Sequence, residues 1–185
     1  MIEIDSGKIK EAEELLKDVQ NGTQRAVYNA INRGLSSAKT QSTKYVKENY
    51  NIKSSNIKEN IDATVKRANK SNMVGTIDFS GHNIPLIQFK VSPSTPKKGV
   101  VKTSVKKGSN AKLLHAYIAD LGKGTGVFER MTKERNSSKE LYGLSVPTML
   151  GNENVYKQLE DKTVEVVNAR LDHEIERILN GYGVK

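Results

Sequence analysis

Apolar residues recur at helical spacing near both ends of this chain and at two-residue spacing through its middle. The N-terminal part predicts a short helix over Lys8–Gln20 and a long helix over Thr23–Asn49, because apolar or small side chains return every three or four residues. A short helical piece is predicted over Asn56–Asn60, and a long final helix over Asn154–Asn180. The chain is therefore expected to begin and end in helices.

Between these helices the period changes to two, which predicts β-strands. One helical turn is predicted near the end of this region, over Pro147–Leu150. The order helix, sheet, helix predicts a single α+β domain over residues 1–185, with a mostly antiparallel central sheet. Within it we expect an N-terminal helical segment over 1–22 and a basic loop or hairpin over 92–112. The predicted strands are Ala63–Arg67, Met73–Phe79, Ile84–Val91, Val100–Lys106, Tyr117–Ala119, Gly126–Met131 and Leu141–Val146.

Positive charge is concentrated in the middle of the chain. The net charge is +9, and the segment Lys90–Lys112 holds seven lysines and no Asp or Glu. An extended, flexible hairpin of this composition favours contact with an acidic protein surface or with a phosphate backbone. The candidate residues for a DNA channel or a subunit interface are Lys97, Lys98, Lys102, Lys106, Lys107 and Lys112.

The polar face of the final helix is acidic, with seven carboxylates against four basic residues between Glu153 and Asn180. A basic middle and an acidic helix are complementary surfaces, and head-to-tail contacts between such surfaces can close a ring of subunits. The candidate residues for the acidic interface are Glu160, Asp161, Glu165, Asp172 and Glu176.

The sequence gives little support for catalysis or for a cofactor. The chain has no cysteine, which excludes disulfides and thiolate metal sites. The turn Gly122–Gly126 lacks the spacing of a phosphate-binding loop, and His82, His115 and His173 are too far apart for a local metal motif. We therefore expect no enzyme, no cofactor, no metal and no small-molecule substrate.

The sequence also predicts the compartment in which the protein is made. No apolar stretch reaches the roughly 18–20 residues of a membrane span, and Met1–Asp5 lacks the features of a secretory signal. We expect a protein that does not enter a membrane and that is made, or assembled into something larger, in a cytoplasm.

The sequence is compatible with only one kind of nucleic-acid binding. Two aromatic side chains, Tyr117 and Phe128, lie near the lysine-rich segment, whereas proteins that bind single strands usually offer several for stacking. No recognition helix is evident. Contact with phosphates regardless of sequence is compatible with this pattern, and the reading of bases is not supported.

Short motifs in a shared order also carry a family resemblance over about Gln24–Leu179. The motifs are Ala30–Arg33, Pro85–Val91, Val105–Gly108, Ala116–Ala119, Gly126–Arg130, Glu140–Pro147 and Leu171–Ile175. With these motifs the chain resembles the minor tail protein Z family of lambdoid phages and prophages.

The resemblance implies a structural protein of the virion tail that is assembled in the host cytoplasm. Such proteins act late in tail assembly at the head-proximal end, and related tail-completion proteins form rings. It implies other tail proteins or head–tail connector proteins as partners, and it brings no catalytic residues. The leading hypothesis is thus a ring-forming tail-completion protein, and the alternative is a sequence-nonspecific DNA-binding protein that uses Lys90–Lys112.

Overall fold

The computed structural model describes residues 6–96, 99–122, 124–134 and 137–181. Backbone contacts divide the chain into two compact units, each built from separate segments. Unit 1 comprises residues 1–42, 63–78 and 156–185, and unit 2 comprises residues 43–62 and 79–155.

Unit 1 is formed mainly by helices. They are α1 (Ser6–Leu15), most of α2 (Gly22–Asn49) and most of α5 (Glu153–Leu179). The apolar stripes of the three helices meet in one core, which confirms the helical spacing seen in the sequence. The buried residues of this core are Ala12, Leu16, Ala26, Val27, Ala30, Val167, Leu171, Ile175 and Ile178.

A small two-stranded sheet, β1 (Asp62–Lys66) and β2 (Thr76–Ser80), follows the first helices. The loop between its strands is fastened to α2 by the Asn32 side chain. Its Nδ2 donates a hydrogen bond to the Ala68 carbonyl at 2.9 Å, and its Oδ1 accepts one from the Ala68 amide at 2.9 Å. Because both backbone groups of Ala68 are satisfied, this residue can be buried within the loop.

Unit 2 contains three more small sheets rather than one continuous sheet. One pairs β3 (Asn83–Pro85) with β10 (Tyr142–Ser145). The other two are three-stranded, and their neighbouring strands pair antiparallel. Their strands, in order across each sheet, are β4 (Lys90–Ser92), β5 (Val101–Ser104) and β6 (Ala111–Leu113), then β7 (Ala116–Asp120), β8 (Thr125–Arg130) and β9 (Ser138–Glu140).

Two short helices complete unit 2, α3 (Ser54–Glu59) and α4 (Val146–Leu150). The Ser145 side chain caps α4 by accepting a hydrogen bond from the Thr148 amide. With helices at both ends of the chain and small antiparallel sheets between them, the α+β class is confirmed. The buried side chains of unit 2 include Ile57, Ile84, Leu86, Phe89, Val101, Val127, Val146 and Met149.

The predicted third strand, Ile84–Val91, is wrong as a single strand. A 3₁₀ turn over Leu86–Gln88 separates β3 from β4. In a straight strand Leu86 and Phe89 would point to opposite faces. The turn lets both side chains enter the core, where each is 6% exposed.

Other boundaries also differ from the prediction. The first helix ends at Leu15 rather than Gln20, and turns with bonds to the third preceding residue lead to Asn21, whose φ is 58°. Helix α3 begins earlier than predicted, and the residue before it, Lys53, makes no side-chain cap bond. Strands β6 and β9 were not predicted, because three residues are too few for a period-two pattern to be recognised.

Candidate functional site

In the middle of the sheet β4–β5–β6 of unit 2, buried and charged side chains lie on opposite faces. Along β5, Val101 and Thr103 are buried, and Lys102 between them is exposed. Side chains alternate between the faces of a strand, so this short strand is fixed against the core by its two buried residues. That arrangement leaves Lys102 on the solvent side.

Strand register brings more lysines to the same face. Lys102 lies directly opposite Lys112 on β6 and opposite Ser92 on β4. Lys90 is two residues before Ser92 and therefore lies diagonally across from Lys102 on the same side. We call Lys90, Lys102 and Lys112 the lysine face. It takes one cation from each of three adjacent strands.

The lysine face is not neutralised by the part of the chain that the structure describes. The ion pairs found among the described residues involve other side chains. Like charges directly opposite each other on an antiparallel pair destabilise a sheet. The sheet would therefore be more stable without this pairing, which makes the lysine face a candidate for binding rather than for folding.

A turn after β5 carries two more of the predicted lysines, Lys106 and Lys107, both exposed. Its backbone is held by the end of α2: the Asn51 amide donates to the Val105 carbonyl at 2.9 Å, and the Lys107 amide donates to the Asn49 carbonyl at 3.0 Å. This turn, over residues 105–109, is the basic turn. Its lysines project from a backbone that these two hydrogen bonds hold against the end of α2.

Side chains fix the basic turn further. Asn51 Nδ2 donates to the Ser104 carbonyl at 3.0 Å and to Ser104 Oγ at 2.9 Å. Tyr50 pairs with Lys106 in an isolated β-bridge and is only 3% exposed. Burial raises the pKa of the Tyr50 phenol above its usual value, so this group stays neutral and gives the lysines no anionic partner.

The remaining predicted lysines, Lys97 and Lys98, lie outside the described residues. Of the six predicted cations, the register thus brings Lys102 and Lys112 together, and the basic turn holds Lys106 and Lys107. Lys90 was not among the six. Its place on the lysine face follows from strand register, which the sequence pattern did not reveal.

The predicted acidic residues lie on α5 in unit 1. At about 100° per residue, Asp161, Glu165, Asp172 and Glu176 fall within an arc of about 60° on the helix surface. We call these four residues the acidic stripe. All four are exposed, and Glu160 lies outside the arc and is half-buried.

Part of this acidic charge already has partners in the chain. Lys8 Nζ lies 2.9 Å from Asp172 Oδ2, and Lys162 pairs with Glu165. The Tyr156 hydroxyl donates to Glu160 at 3.5 Å. Asp161 and Glu176 form no ion pair with a described cation.

A buried carboxylate, Glu174, was missed by the sequence reasoning. Its side chain is 1% exposed, with Arg170 Nη2 2.5 Å from Oε1 and Arg177 Nη2 3.2 Å from Oε2. Asn29 Nδ2 on α2 also donates to Oε2 at 3.2 Å. The spacing of Arg170, Glu174 and Arg177 places all three on one side of the helix. This spacing was the signal available in the sequence.

An open cleft of about 260 Å³ lies beside the lysine face in unit 2. Lys112, His115 and Glu129 are among its lining residues, over a partly apolar floor that includes Leu141. No hydrogen bond joins these three titratable side chains to one another in the described structure.

The described residues contain no group of three or more His, Cys, Asp or Glu side chains placed to hold a metal ion. Among them, no helix combines the length and the apolar character that crossing a membrane would require.

Comparison with known proteins gives one match. The family model described as prophage minor tail protein Z matches residues 8–182 of the chain. No curated protein and no solved structure matches it. The match covers most of α1, all of α2 and α5 and all the sheets, and so includes both the lysine face and the acidic stripe. The chain therefore belongs to the prophage minor tail protein Z family and is a structural protein of a phage tail.

Proposed function

We propose that the chain is a tail-completion protein that forms a ring at the head-proximal end of the phage tail. Family membership supports a place in the virion tail beside other tail or head proteins. Tail completion, the ring and assembly in the host cytoplasm are steps beyond that membership. The proposed role is structural and needs no catalytic group.

The observation that carries the proposal is the unpaired lysine face. Lys102 and Lys112 oppose each other, and no described carboxylate neutralises them. A cationic surface held in a fixed geometry at a cost in stability is suited to an acidic surface that arrives during assembly. Two acidic surfaces fit a ring around a channel: the acidic stripe of a neighbouring subunit and the phosphate backbone of phage DNA.

We also propose that residues 1–185 work as one functional domain. Each compact unit is assembled from chain segments that the other unit interrupts, and α2 contributes residues to both units. Neither unit corresponds to a continuous piece of chain that could act alone.

Genetic complementation tests the proposal. A triple variant, Lys90→Gln with Lys102→Gln and Lys112→Gln, is expressed in cells whose phage lacks this gene. We expect at least a tenfold loss of infectious virions with normal amounts of the folded chain. The matched control also removes three positive charges, by changing the exposed lysines Lys10, Lys66 and Lys70 of unit 1 to Gln. It should leave the titre of infectious virions unchanged. Full titres from the lysine-face variant would overturn the proposal.

A second candidate function, sequence-nonspecific DNA binding, is supported by the same unpaired lysines and by the fixed basic turn. A salt titration of duplex DNA binding by the purified chain separates the two. Free-standing DNA binding predicts tight binding with a log–log salt slope near −0.9 for each phosphate contacted. The tail-completion proposal predicts weak binding at physiological salt.

A further inference from the structure

We propose that the lysine face docks on the acidic stripe of a second copy of this chain. The inference rests on the proposed function, because it names the contact through which the ring closes. It chooses between the two acidic surfaces that fit the lysine face, the neighbouring subunit and DNA.

The lysine face is a preformed half of such a contact. Its three lysines come from three strands that are hydrogen-bonded in register, so their separations are set by the sheet. Adjacent strands lie about 5 Å apart, which is the separation of Lys102 from Lys112 at the backbone. The residues beneath them, Val101 and Thr103, are buried and keep β5 from rotating.

The acidic stripe supplies the matching half. Asp161 and Glu165 are one helical turn apart, with a rise of about 6 Å between them, which is close to the strand spacing. The stripe faces away from the side of α5 that carries Val167 and Leu171 into the core. The pairs that Lys8 and Lys162 make with it are exposed, and such pairs are weak enough to be exchanged when another basic surface docks.

Each copy therefore carries one basic and one acidic surface, and the two surfaces differ. Contact between unlike patches of identical subunits is heterologous and generates a ring when the rotation closes. The lysine-rich segment Lys90–Lys112 contains no arginine, the residue that makes bidentate contacts with phosphate. Lysines meet phosphate as point charges, whereas the acidic stripe offers carboxylates at a spacing close to that of the lysine face, which favours a second copy over DNA.

Charge reversal on both surfaces tests the inference with the full-length chain. The face-reversed variant carries Lys102→Glu and Lys112→Glu, the stripe-reversed variant carries Asp161→Lys and Glu165→Lys, and the fourfold variant carries all four. Self-association is measured by sedimentation velocity in low salt and in about 0.5 M NaCl, where charge interactions are strongly screened. A control with Lys66→Glu and Lys70→Glu reverses two exposed lysines elsewhere.

The wild type and the control should associate in low salt and dissociate in high salt. Each singly reversed variant should associate at least about tenfold more weakly, because its two surfaces then carry the same sign. The fourfold variant, and an equal mixture of the two reversed variants, should recover association. Recovery identifies the two surfaces as partners, because reversing the acidic stripe could not restore a contact between the lysine face and DNA.

Three results would overturn the inference. A wild-type chain that stays monomeric at about 1 mM in low salt has no such contact. A fourfold variant that stays dissociated shows that the surfaces do not meet. Loss of duplex DNA binding in the face-reversed variant, with association unchanged, assigns the lysine face to DNA. In the second and third cases the chain can still be a tail-completion protein, which the complementation experiment decides separately.

Discussion

Gly34 lies inside the long helix α2 although glycine costs about 1 kcal/mol there relative to alanine. A Cβ atom at this position would come within 2.3 Å of Val167 Cγ2 on α5. The glycine thus allows α2 and α5 to pack closely within unit 1. The side chain of Val167 is the neighbour that requires a glycine here.

We predict that Gly34→Ala destabilises the chain by about 1–2 kcal/mol, because overpacking outweighs the gain in helix propensity. In a Val167→Ala background, where the clashing methyl group is absent, the same change should be neutral or stabilising by up to about 1 kcal/mol. Urea denaturation of the four proteins in this cycle measures both values. Equal effects of Gly34→Ala in the two backgrounds would contradict the close packing.

In unit 1 the carboxylate of Glu174 is buried between two arginines. We predict that Glu174→Ala destabilises the chain by about 2–3 kcal/mol. The cost is below that of a fully buried pair, because Arg170 and Arg177 are 35% and 40% exposed and water can solvate them. Thermal or urea unfolding provides the measurement.

The control for Glu174 lies two residues further along the same helix. Glu176 is exposed, and Glu176→Ala should change the free energy of unfolding by no more than about 0.5 kcal/mol. Similar small effects at both positions would show that the cluster of Arg170, Glu174 and Arg177 does not stabilise the helical core.

Among the elements, the sheet β4–β5–β6 carries a pair of like charges that lowers its stability and that we propose serves binding. Lys112→Glu would place a carboxylate directly opposite Lys102. We predict that it raises the free energy of unfolding by about 0.2–1 kcal/mol, since an opposite-charge pair replaces a like-charge pair. The same variant should lower the yield of infectious virions in the complementation assay.

Lys66→Glu serves as the control, because Lys66 is an exposed strand residue that lies outside the lysine face. It should leave the virion yield unchanged. A Lys112→Glu variant that is more stable and also gives full yield would mean that the lysine face is only a solvated surface.

The sequence predicted the bounds of the long helices more accurately than those of the strands. Helices α2 and α5 were predicted almost to their ends, because a long amphipathic pattern repeats over several turns. The strands on either side of Leu86 were not predicted correctly. Leu86 and Phe89 can both be buried only because a turn separates the two strands, and an alternating pattern does not reveal such a turn. The lysine face depends on pairing between distant strands, so the sequence identified its lysines as a basic segment without their geometry.

For the whole molecule, the division into two units has a consequence for unfolding. Each unit is made of discontinuous segments, and the chain passes between the units several times. Unfolding one unit therefore frees the chain ends of segments that form the other unit. We predict one cooperative transition, with calorimetric and van't Hoff enthalpies in agreement.

Two resolved transitions, or a protease-resistant fragment that retains one unit, would contradict that prediction. They would also argue against a single functional domain over residues 1–185. The sequence indicated helices at both ends and sheets between them, yet it gave no sign of the two units. Their boundaries fall inside elements such as α2 and follow from three-dimensional contacts.

The central claim is that this chain completes the phage tail as a ring at its head-proximal end. Electron cryomicroscopy of tails purified with and without the gene tests it most directly. We predict a ring of density at the head-proximal end that accommodates the chain and is absent from tails made without the gene. Tails that contain no copy of the chain, or that carry it elsewhere along the tube, would contradict the claim.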